Sequence, residues 1–363
     1  NVQRIPRFPG GFCKVCLHFS RPAIIMEVLH PQGCLCRRGV SAPDFEESRE
    51  NMKITDAEKK ALKGRGYIMT RDGEHFVGRI ITEDGVLTSE ELMVAAEAAK
   101  KFGSGAVAMT SRMTVEVQGL TYETIEPFDQ FLRERGLYTG GTGARVRPIV
   151  ACKGTVCVHG LIDTQALARE LHEKFYKGWY DVKLPHKFKI GIGGCPNNCV
   201  KPSLNDFGIM GQRMPEYDSK DCHGCGRCLA SERCPVHAAH MENGVMEIDR
   251  TLCTSCGKCI DNCVFHTVSE KKAGYAVFVG GLWGKRQRMG NRLPEIYTKE
   301  EVFQLVEKAI LLYREQGWTG ERFGAFIDRI GPDNFIAQLT SDEVLARKQS
   351  ILDAPLLQRG ESR

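Results

Sequence analysis

The segment HKFKIGIGGCPNNCVKP, residues 186–202, joins two lysines, a short apolar run, a glycine-rich bend and two cysteines. Its first half predicts a strand, on which Lys187 and Lys189 share a face because side chains two residues apart point to the same side. Both ammonium groups can therefore point at one ligand. Cys195 and Cys199 follow in the bend with only three residues between them. This order of cations and then thiols indicates a ligand site and directs attention to the other cysteines.

A second cysteine pair lies upstream in ACKGTVC, where four residues separate Cys152 from Cys157. A helix and a strand are predicted between the two pairs, and each pair sits in a glycine-containing bend that lets a backbone close around a cofactor. Four buried structural thiols are the alternative interpretation. We favour a 4Fe-4S cluster held by Cys152, Cys157, Cys195 and Cys199.

The densest cysteine pattern is CHGCGRCLASERCP, followed by CTSCGKCIDNC. Two C-x2-C-x2-C runs, each with a distant fourth cysteine, are the ligand pattern of a ferredoxin with two 4Fe-4S clusters, in which each fourth thiolate crosses to the other cluster. Five residues precede the first Cys-Pro where three are usual, and Val264 replaces proline after the second run. The pattern predicts one cluster on Cys222, Cys225, Cys228 and Cys263, and another on Cys234, Cys253, Cys256 and Cys259.

Strand and helix patterns alternate from Tyr67 onward, which predicts an α+β layer with helices on one face of a sheet. Capping-box spacing at Thr55 and Glu58, and again at Thr88 and Glu91, predicts two helix starts. The segment TKEEVFQLVEKAILLYREQG predicts a capped helix of about 18 residues after the cysteine-rich block. That block therefore reads as a small domain inserted into a larger one.

Composition excludes several classes of protein. A chain of 363 residues with 42% apolar and 26% charged residues is an ordinary globular protein of two or three domains. A net charge of +5 is too small and dispersed to indicate nucleic-acid binding. No apolar run approaches the roughly 18 residues of a membrane span, and no export signal is evident. We expect a cytoplasmic protein without membrane insertion, in which the sixteen cysteines are metal ligands rather than disulfides.

Residues 1–51 differ from the rest, with five of the fifteen prolines and no sustained periodicity. Met52 stands just before the first predicted helix, so we interpret residues 1–51 as a poorly ordered extension or an over-extended reading frame. A zinc site is a further hypothesis for this segment, although its C-x-C half is atypical. The cysteines concerned are Cys13, Cys16, Cys34 and Cys36.

The two cysteine pairs in ACKGTVC and GGCPNNC resemble the sirohaem and 4Fe-4S signature of the sulfite and nitrite reductases, usually written C-x5-C then C-x3-C. The first pair here has four intervening residues, which leaves Cys152 less well matched than Cys199. Within that family the chain is most similar to the catalytic C subunits of anaerobic sulfite reductases, which likewise carry an inserted two-cluster ferredoxin. The resemblance covers roughly residues 60–335.

The resemblance implies an α+β fold with a ferredoxin-like half domain, a sirohaem and 4Fe-4S domain, and an inserted bacterial-type ferredoxin domain with two 4Fe-4S clusters. The half domain is assigned to residues 52–145 and the inserted domain to residues 217–270. The sirohaem domain then falls in two parts, 146–216 and 271–340, followed by a C-terminal tail over 341–363. The implied cofactors are sirohaem and three 4Fe-4S clusters.

The resemblance also implies roles for four cations around the distal face of the sirohaem, where they hold an anionic substrate. These are Arg112 in TSRMTVEVQG, Arg147 in ARVRPIVAC, and Lys187 and Lys189 in LPHKFK. Met113 follows Arg112 where the family often has glutamine, so this match is incomplete.

Cys199, the last cysteine of the signature, is implied to bridge the cluster and the sirohaem iron. We interpret Arg145, on the far side of Val146 from Arg147, as a bystander. His159, just past Cys157, is interpreted as a packing or hydrogen-bonding residue.

The implied reaction is the six-electron reduction of sulfite to sulfide. Electrons are expected from a separate ferredoxin, or from a flavin or iron-sulfur donor protein or subunit, because no dinucleotide fingerprint is present. A homodimer or a hetero-oligomer is expected. Ammonia-forming nitrite reduction is the first alternative, and an iron-sulfur electron carrier without its own active site is the second.

Overall fold

The computed structural model describes residues 54–362. The predictions for residues 1–51, including the zinc site of Cys13, Cys16, Cys34 and Cys36, lie outside these residues. Within the described part, helices and strands are mixed, which confirms the predicted α+β class. No helix between residues 54 and 362 combines the length and the apolar character that crossing a bilayer requires.

The first part of the described chain is a four-stranded antiparallel sheet with helices packed on its buried face. Its elements are α1 (Asp56–Arg65), β1 (Tyr67–Met69), β2 (Phe76–Ile80), α2 (Ser89–Phe102), β3 (Val107–Met109), β4 (Val115–Leu120) and α3 (Ile125–Arg133). The strand order is β1-β2-β4-β3. Alternate residues such as Phe76, Ile80, Val115 and Val117 enter one core with α2 and α3, as expected for a sheet with one buried face.

The two predicted capping boxes are present. Thr55 Oγ1 accepts a hydrogen bond from the Glu58 amide at 3.3 Å, and Thr88 Oγ1 accepts one from the Glu91 amide at 3.1 Å. In return, each glutamate accepts a hydrogen bond from the amide of its threonine. These pairs satisfy donors that the first turn of a helix leaves free, so both predicted helix starts are confirmed.

The next part carries the first four candidate thiols. Strand β5 (Val150–Ala151) is followed by α4 (Thr164–Leu171), β6 (Ile190–Gly193) and β7 (Phe207–Glu216). The sequence predicts one helix through residue 178, but α4 continues as a π-helical turn over His172–Lys177. This wider turn lies where His172 is fully buried, with its Nε2 atom 2.7 Å from the Tyr138 hydroxyl.

The strand predicted around Lys187 and Lys189 is shorter than expected, because β6 begins only at Ile190. The residues before it are extended and joined to the chain ahead of β5 through a single parallel bridge between Val146 and Phe188. The alternation of side chains on which the prediction rests is nevertheless kept, since Phe188 between the lysines is fully buried.

The cysteine-rich block has a small core of its own. It contains α5 (Leu229–Glu232), β8 (Ala239–Glu242), β9 (Val245–Ile248) and α6 (Lys258–Asn262), and β8 pairs with β9 as an antiparallel hairpin. Ala230, Met246 and Val268 pack there with partly buried cysteines. So small a core needs additional links such as metal centres to hold one structure.

Strands β10 (Ser269–Val279) and β11 (Asn291–Tyr297) complete a five-stranded sheet of order β11-β10-β7-β6-β5. Strands β5, β6 and β7 are parallel, whereas β10 pairs antiparallel with both β7 and β11. Glu216 faces Ser269 at the end of the β7–β10 ladder. The cysteine-rich block therefore leaves and rejoins the sheet at one place.

Helices close the core of this sheet in the last part of the described chain. They are α7 (Lys299–Gln316), α8 (Phe323–Ile330), α9 (Pro332–Thr340), α10 (Glu343–Ala346) and α11 (Lys348–Asp353). Helix α7 has the predicted 18 residues and the predicted capping box at Thr298. Ile192, Ile209 and Val277 of the sheet pack into one core with these helices.

A buried ion pair joins this helical layer to the sheet. Asp206, immediately before β7, is fully buried, and Arg322, immediately before α8, donates to both of its carboxylate oxygens at 2.9 and 3.1 Å. The Lys189 amide donates to the same carboxylate at 2.9 Å. Burial raises the pKa of Asp206, and the charge of Arg322 opposes that shift.

We expect the substitution Arg322→Met to destabilise the protein by about 3–5 kcal/mol, because it leaves the buried Asp206 carboxylate without its cation. Chemical denaturation followed by circular dichroism measures this loss. The double variant Arg322→Met, Asp206→Asn should recover much of it, since the buried charge is then gone. Arg227→Met, which removes an exposed ion pair with Glu232, is the control and should change stability little. Equal effects of Arg322→Met and the control would contradict this account.

Candidate functional site

The two cysteine loops predicted to share a cluster touch each other through a pair of glycines. A Cβ atom on Gly154 would lie 2.9 Å from Gly194 Cα, and one on Gly194 would lie 2.8 Å from Gly154 Cα. Side chains do not fit at such distances, so both positions require glycine. The Cys152 amide donates to the Ile192 carbonyl at 3.0 Å, which continues the β5–β6 pairing into the loops. The structure thus brings the two predicted loops together.

The four thiols of these loops lie near one another. Burial, with the negative charges of Cys152, Cys199 and Cys157, raises the pKa of Cys195. Cys152 Sγ also accepts a hydrogen bond from the Gly194 amide at 3.1 Å. Thiolates gathered in this way repel one another and favour a bound cation, because metal coordination deprotonates a thiol.

The thiols are available as ligands. All twelve cysteines between residues 54 and 362 are free, and their role as metal ligands stays a prediction. Over the same range, no three Cys, His, Asp or Glu side chains are gathered as the ligands of a single metal ion. A cubane binds its four thiolates at separate corners and so holds them farther apart than one ion does.

The segment between Cys199 and β7 packs closely against two glycines of β6, Gly191 and Gly193. A Cβ atom on Gly191 would lie 2.5 Å from Asn205 Nδ2, and one on Gly193 would lie 2.8 Å from Pro202 Cγ. Asn198 and Lys201 adopt the left-handed conformation, with φ of 57° and 51°. These constraints leave Cys199 exposed on the surface of its loop, open to a group outside the cluster.

The extended segments around Val146 and Phe188 place four cations on the side that faces away from the core. Val146 and Phe188 point into the core and bridge to each other. Because side chains alternate along extended backbone, the residues that flank them point the other way. These flanking residues are Arg145, Arg147, Lys187 and Lys189.

Lys187 and Lys189 carry charge that no carboxylate neutralises directly, since neither ammonium group has an ion pair within residues 54–362. Burial, followed by the charges of Arg112 and Lys187, lowers the pKa of Lys189 to about 8. Burial and the charge of Arg322 also lower the pKa of Lys187. The repulsion that adds to burial in these shifts makes the place attractive to an anion.

Arg112 links the cations to the cysteine loop. Its guanidinium donates to Asn205 Oδ1 at 2.8 Å, to the Ile190 carbonyl at 3.2 Å and to the Pro148 carbonyl. Asn205 in turn donates to the carbonyl of Lys201 at 3.1 Å, two residues past Cys199. The Nε atom of Arg112 is buried without a hydrogen-bond partner. Burial lowers the pKa of Arg112 to about 10.

Arg147 and Arg145 differ in their partners. Arg147 donates to the carbonyls of Gly143 and Gly141, and burial with the charge of Arg79 lowers its pKa to about 10. Arg145 instead lies over the Tyr180 ring, 4.2 Å from its centroid, and its Nη1 atom is buried without a hydrogen-bond partner. The interpretation of Arg145 as a bystander stays a prediction, and its unpartnered nitrogen is a feature that the sequence does not reveal. His159 is exposed on its loop.

Sequence reasoning does not identify Asn205, Asp206 or Arg322, although these residues hold Arg112 and Lys189 in place. Asn205 and Asp206 stand just before the apolar strand β7, which is the only sequence signal for them. Arg322 is 116 positions from Asp206, and no local pattern joins the two.

The ferredoxin-type cysteines are also grouped as predicted from their order. Cys234, Cys253, Cys256 and Cys259 line one small, largely apolar cavity together. Burial, followed by the charges of Cys253 and Cys256, raises the pKa of Cys259 to about 11. Cys234 comes from the first run and the other three from the second, which is the crossed arrangement expected for two clusters.

Three members of the other predicted set, Cys222, Cys228 and Cys263, pack in the small core of the block. Cys222 Sγ accepts a hydrogen bond from the Met246 amide at 3.4 Å, and Cys263 Sγ lies 3.2 Å from Thr267 Oγ1. The charge of Cys263 is among those acting on the pKa of Cys222, which backbone hydrogen bonds from Met246 and Gly224 lower. Cys225 is exposed.

Comparison with known proteins identifies the family. A family model described as "Nitrite and sulphite reductase 4Fe-4S domain" matches residues 142–348, and one described as "Nitrite/Sulfite reductase ferredoxin-like half domain" matches residues 68–135. The chain is also similar to a crystal structure of a dissimilatory sulfite reductase, with a TM-score of 0.59 and 21% identity over 80% of this chain and 73% of that one. That likeness bears on the fold alone.

Two curated relatives are similar over different lengths. A coenzyme F420-dependent sulfite reductase of Methanocaldococcus jannaschii is 32% identical over 299 residues, which is 82% of this chain and 47% of the relative. One of the subunits of the anaerobic sulfite reductase of Salmonella typhimurium is 32% identical over 169 residues, or 42% of this chain and 48% of the relative. The chain thus spans about half the length of these two relatives. With its matched half domain and 4Fe-4S domain, the chain belongs to the nitrite and sulphite reductase family.

Proposed function

We propose that the chain reduces sulfite to sulfide in a six-electron reaction at a sirohaem coupled to a 4Fe-4S cluster. The observation that carries this proposal is the pairing of four gathered thiols with a cluster of cations lacking carboxylate partners. Strand β6 has the cations before its first residue and Cys195 just past its last. Arg112 and Asn205 join the two groups by hydrogen bonds.

The residues fit the cofactors that the family implies. Sirohaem carries several carboxylates, and the buried Nε atom of Arg112 and Nη1 atom of Arg145 both lack partners. Cys152, Cys157, Cys195 and Cys199 would hold the cluster, with Cys199 shared between cluster and sirohaem. When bound, sirohaem supplies an iron that binds the sulfur of the anion and passes electrons to it.

The protein's own residues would bind the anion and supply protons. Lys187, Lys189, Arg112 and Arg147 place positive charge where negative oxygens must be held, and several such pairs offset the desolvation of the anion. With a pKa of about 8, Lys189 is mostly charged at pH 7 and can still release a proton to a departing oxygen.

We propose sulfite and not nitrite as the substrate because both relatives described above, each 32% identical to this chain, are named sulfite reductases. A nitrite reductase of Bacillus subtilis is 23% identical over 272 residues. Nitrite reduction to ammonia is therefore the second candidate.

The cysteine-rich block, residues 217–270, is proposed to be an inserted ferredoxin domain with two further 4Fe-4S clusters, which gives three in all. The proposed host domains are residues 52–145, 146–216 and 271–340, with a tail over 341–363. Electrons would come from a separate ferredoxin or from a flavin or iron-sulfur protein or subunit. A homodimer or hetero-oligomer is proposed for the assembly, and the cytoplasm for its location.

The decisive experiment is purification without air from cells able to make sirohaem, followed by a visible spectrum, an iron count and turnover with a reduced viologen. We expect a sirohaem band and faster turnover of sulfite than of nitrite. The iron count should be about twelve per chain from three 4Fe-4S clusters, with one further iron from the haem. Faster turnover of nitrite would support the second candidate. Iron without a sirohaem band would overturn the proposal in favour of an electron carrier.

Lys189→Met should lower kcat/KM for sulfite by roughly 10²-fold while leaving sirohaem and iron content unchanged, because one charged donor to the anion is lost. Lys183→Met, in the same segment but with an exposed side chain, is the matched control. The pH dependence adds a second readout. Anion binding favours charged Lys189, so the advantage of the wild type over the variant should be full below pH 8 and decline above it. A ratio that does not change with pH, or unchanged turnover, would remove Lys189 from the site.

Cys199→Ser should change both the cluster signal in electron paramagnetic resonance and the sirohaem absorption, because one sulfur is proposed to serve both groups. Cys225→Ser, in the ferredoxin-type set, should leave the sirohaem spectrum unchanged. A Cys199→Ser protein with a normal sirohaem spectrum would contradict the shared thiolate.

A further inference from the structure

The loop 253–257 of the cysteine-rich block pairs with β7, and nearby Arg250 donates to the Pro215 carbonyl of the same strand at 2.8 Å. The Arg213 amide on β7 donates to the Ser255 carbonyl at 2.7 Å, and Arg213 forms a parallel bridge with Cys256. This loop, which carries Cys253 and Cys256 of one predicted cluster, is thus paired with the sheet itself. No residue of the other predicted set, Cys222, Cys225, Cys228 and Cys263, pairs with the sheet in the described ladders and bridges.

The Arg213 side chain reinforces this attachment. Its stem packs on Gly257, where a Cβ atom would lie 2.9 Å from Arg213 Cδ and 3.0 Å from Arg213 Cβ. Its Nη1 atom donates to Asp261 Oδ1 at 2.7 Å, and its Nε atom donates to Glu270. Asp261 lies on α6 between Cys259 and Cys263, whereas Glu270 lies on β10. One guanidinium therefore ties the cysteine loop, α6 and the sheet together.

The same cysteine-rich loop also lies across a cleft from the loop that carries Cys195 and Cys199. An open cleft of about 540 Å³ has Cys253 and Thr254 on one wall and Pro196 and Asn198 on another. Pro196 and Asn198 belong to the loop between Cys195 and Cys199. Met210, Gln212 and Met214 of β7 form its floor, which makes β7 the common base of both loops.

The other cysteine set has one member, and hydrophobic neighbours of another member, at the surface of the block. Cys225 is exposed, and the Phe265 ring, half exposed, stacks on His223 with 4.5 Å between the ring centroids. Val264 beside it is 63% exposed. None of these residues lines the cleft shared with Pro196 and Asn198.

We propose that Arg213 is a positioning residue that holds the Cys234, Cys253, Cys256 and Cys259 site as the inner of the two ferredoxin-type sites. Resting on the proposed function, this makes the Cys222, Cys225, Cys228 and Cys263 site the outer one. With 4Fe-4S clusters bound, the outer site would take one electron at a time from a reduced external carrier, and the inner site would pass each electron on toward the Cys152–Cys199 site. Each donor is oxidised as its acceptor is reduced, and no proton or bond is exchanged.

The test compares Arg213→Met with the wild-type holoprotein and with Arg227→Met. Arg227 donates to Glu232 through two nitrogens within the same block but does not touch β7, so it is a matched control. All three proteins are first checked for iron and acid-labile sulfide. Two readouts follow: the magnetic interaction between reduced clusters in electron paramagnetic resonance, and the single-turnover rate at which electrons reach the sirohaem band.

Arg213→Met should retain its iron, weaken the magnetic interaction between the inner and the Cys152–Cys199 clusters, and slow electron arrival about tenfold or more, as small misplacements do at reacting centres. Arg213→Lys should restore part of the rate. Arg227→Met should match the wild type. If Arg213→Met loses its clusters, Asp261→Asn weakens the same link more gently and should show the same two changes.

Retained iron with an unchanged magnetic interaction and unchanged rate in both Arg213→Met and Asp261→Asn would overturn the inference. So would equal slowing in Arg227→Met. Failure of the proposed function looks different, because the wild-type protein itself would then lack the sirohaem band or fail to turn over sulfite.

Discussion

The contact between Gly154 and Gly194 is the constraint on which the site depends. Two loops from different strands can bring four thiols together only if their backbones touch, and a single methyl group at either glycine would separate them. The parallel pairing of β5, β6 and β7 brings the loops to the same edge of the sheet. With glycine at positions 154 and 194, the backbones of the two loops can then come into contact. The sheet thus sets the direction in which each loop leaves its strand. The absence of side chains at Gly154 and Gly194 lets the two loops come into contact.

Charge is organised around the same sheet. The cations cluster before β6, where burial and mutual repulsion lower the pKa of Lys189 and Lys187. Such a cluster is costly to fold without an anion, and the fully buried Asp206 offsets part of the repulsion from within. Asp206 is committed to Arg322 and the Lys189 amide, so it steadies the cluster while leaving the ammonium groups available. Stability and the proposed anion binding therefore depend on the same few side chains.

Local patterns predicted the parts of this molecule that local physics controls. Caps at Thr55, Thr88 and Thr298 marked helix starts correctly, and one cysteine set predicted from spacing, Cys234, Cys253, Cys256 and Cys259, lines a single cavity. The strand around Lys187 and Lys189 was predicted too long. Buried and outward-facing side chains alternate there as in a strand, but the extended backbone forms only one bridge to its neighbour. The partners of Arg112 and Asp206 could not be predicted, since each pair is distant in sequence and formed only by packing.

The ladder between β7 and β10 has a wider consequence. Its strands stay paired up to Glu216 and Ser269, where the cysteine-rich block leaves and returns. A short hairpin turn could join the same two residues without altering the host sheet. Exchange of the block for a turn is then a change at one junction, so a scaffold of this kind can gain or lose the whole block during evolution without rearrangement of the sheet.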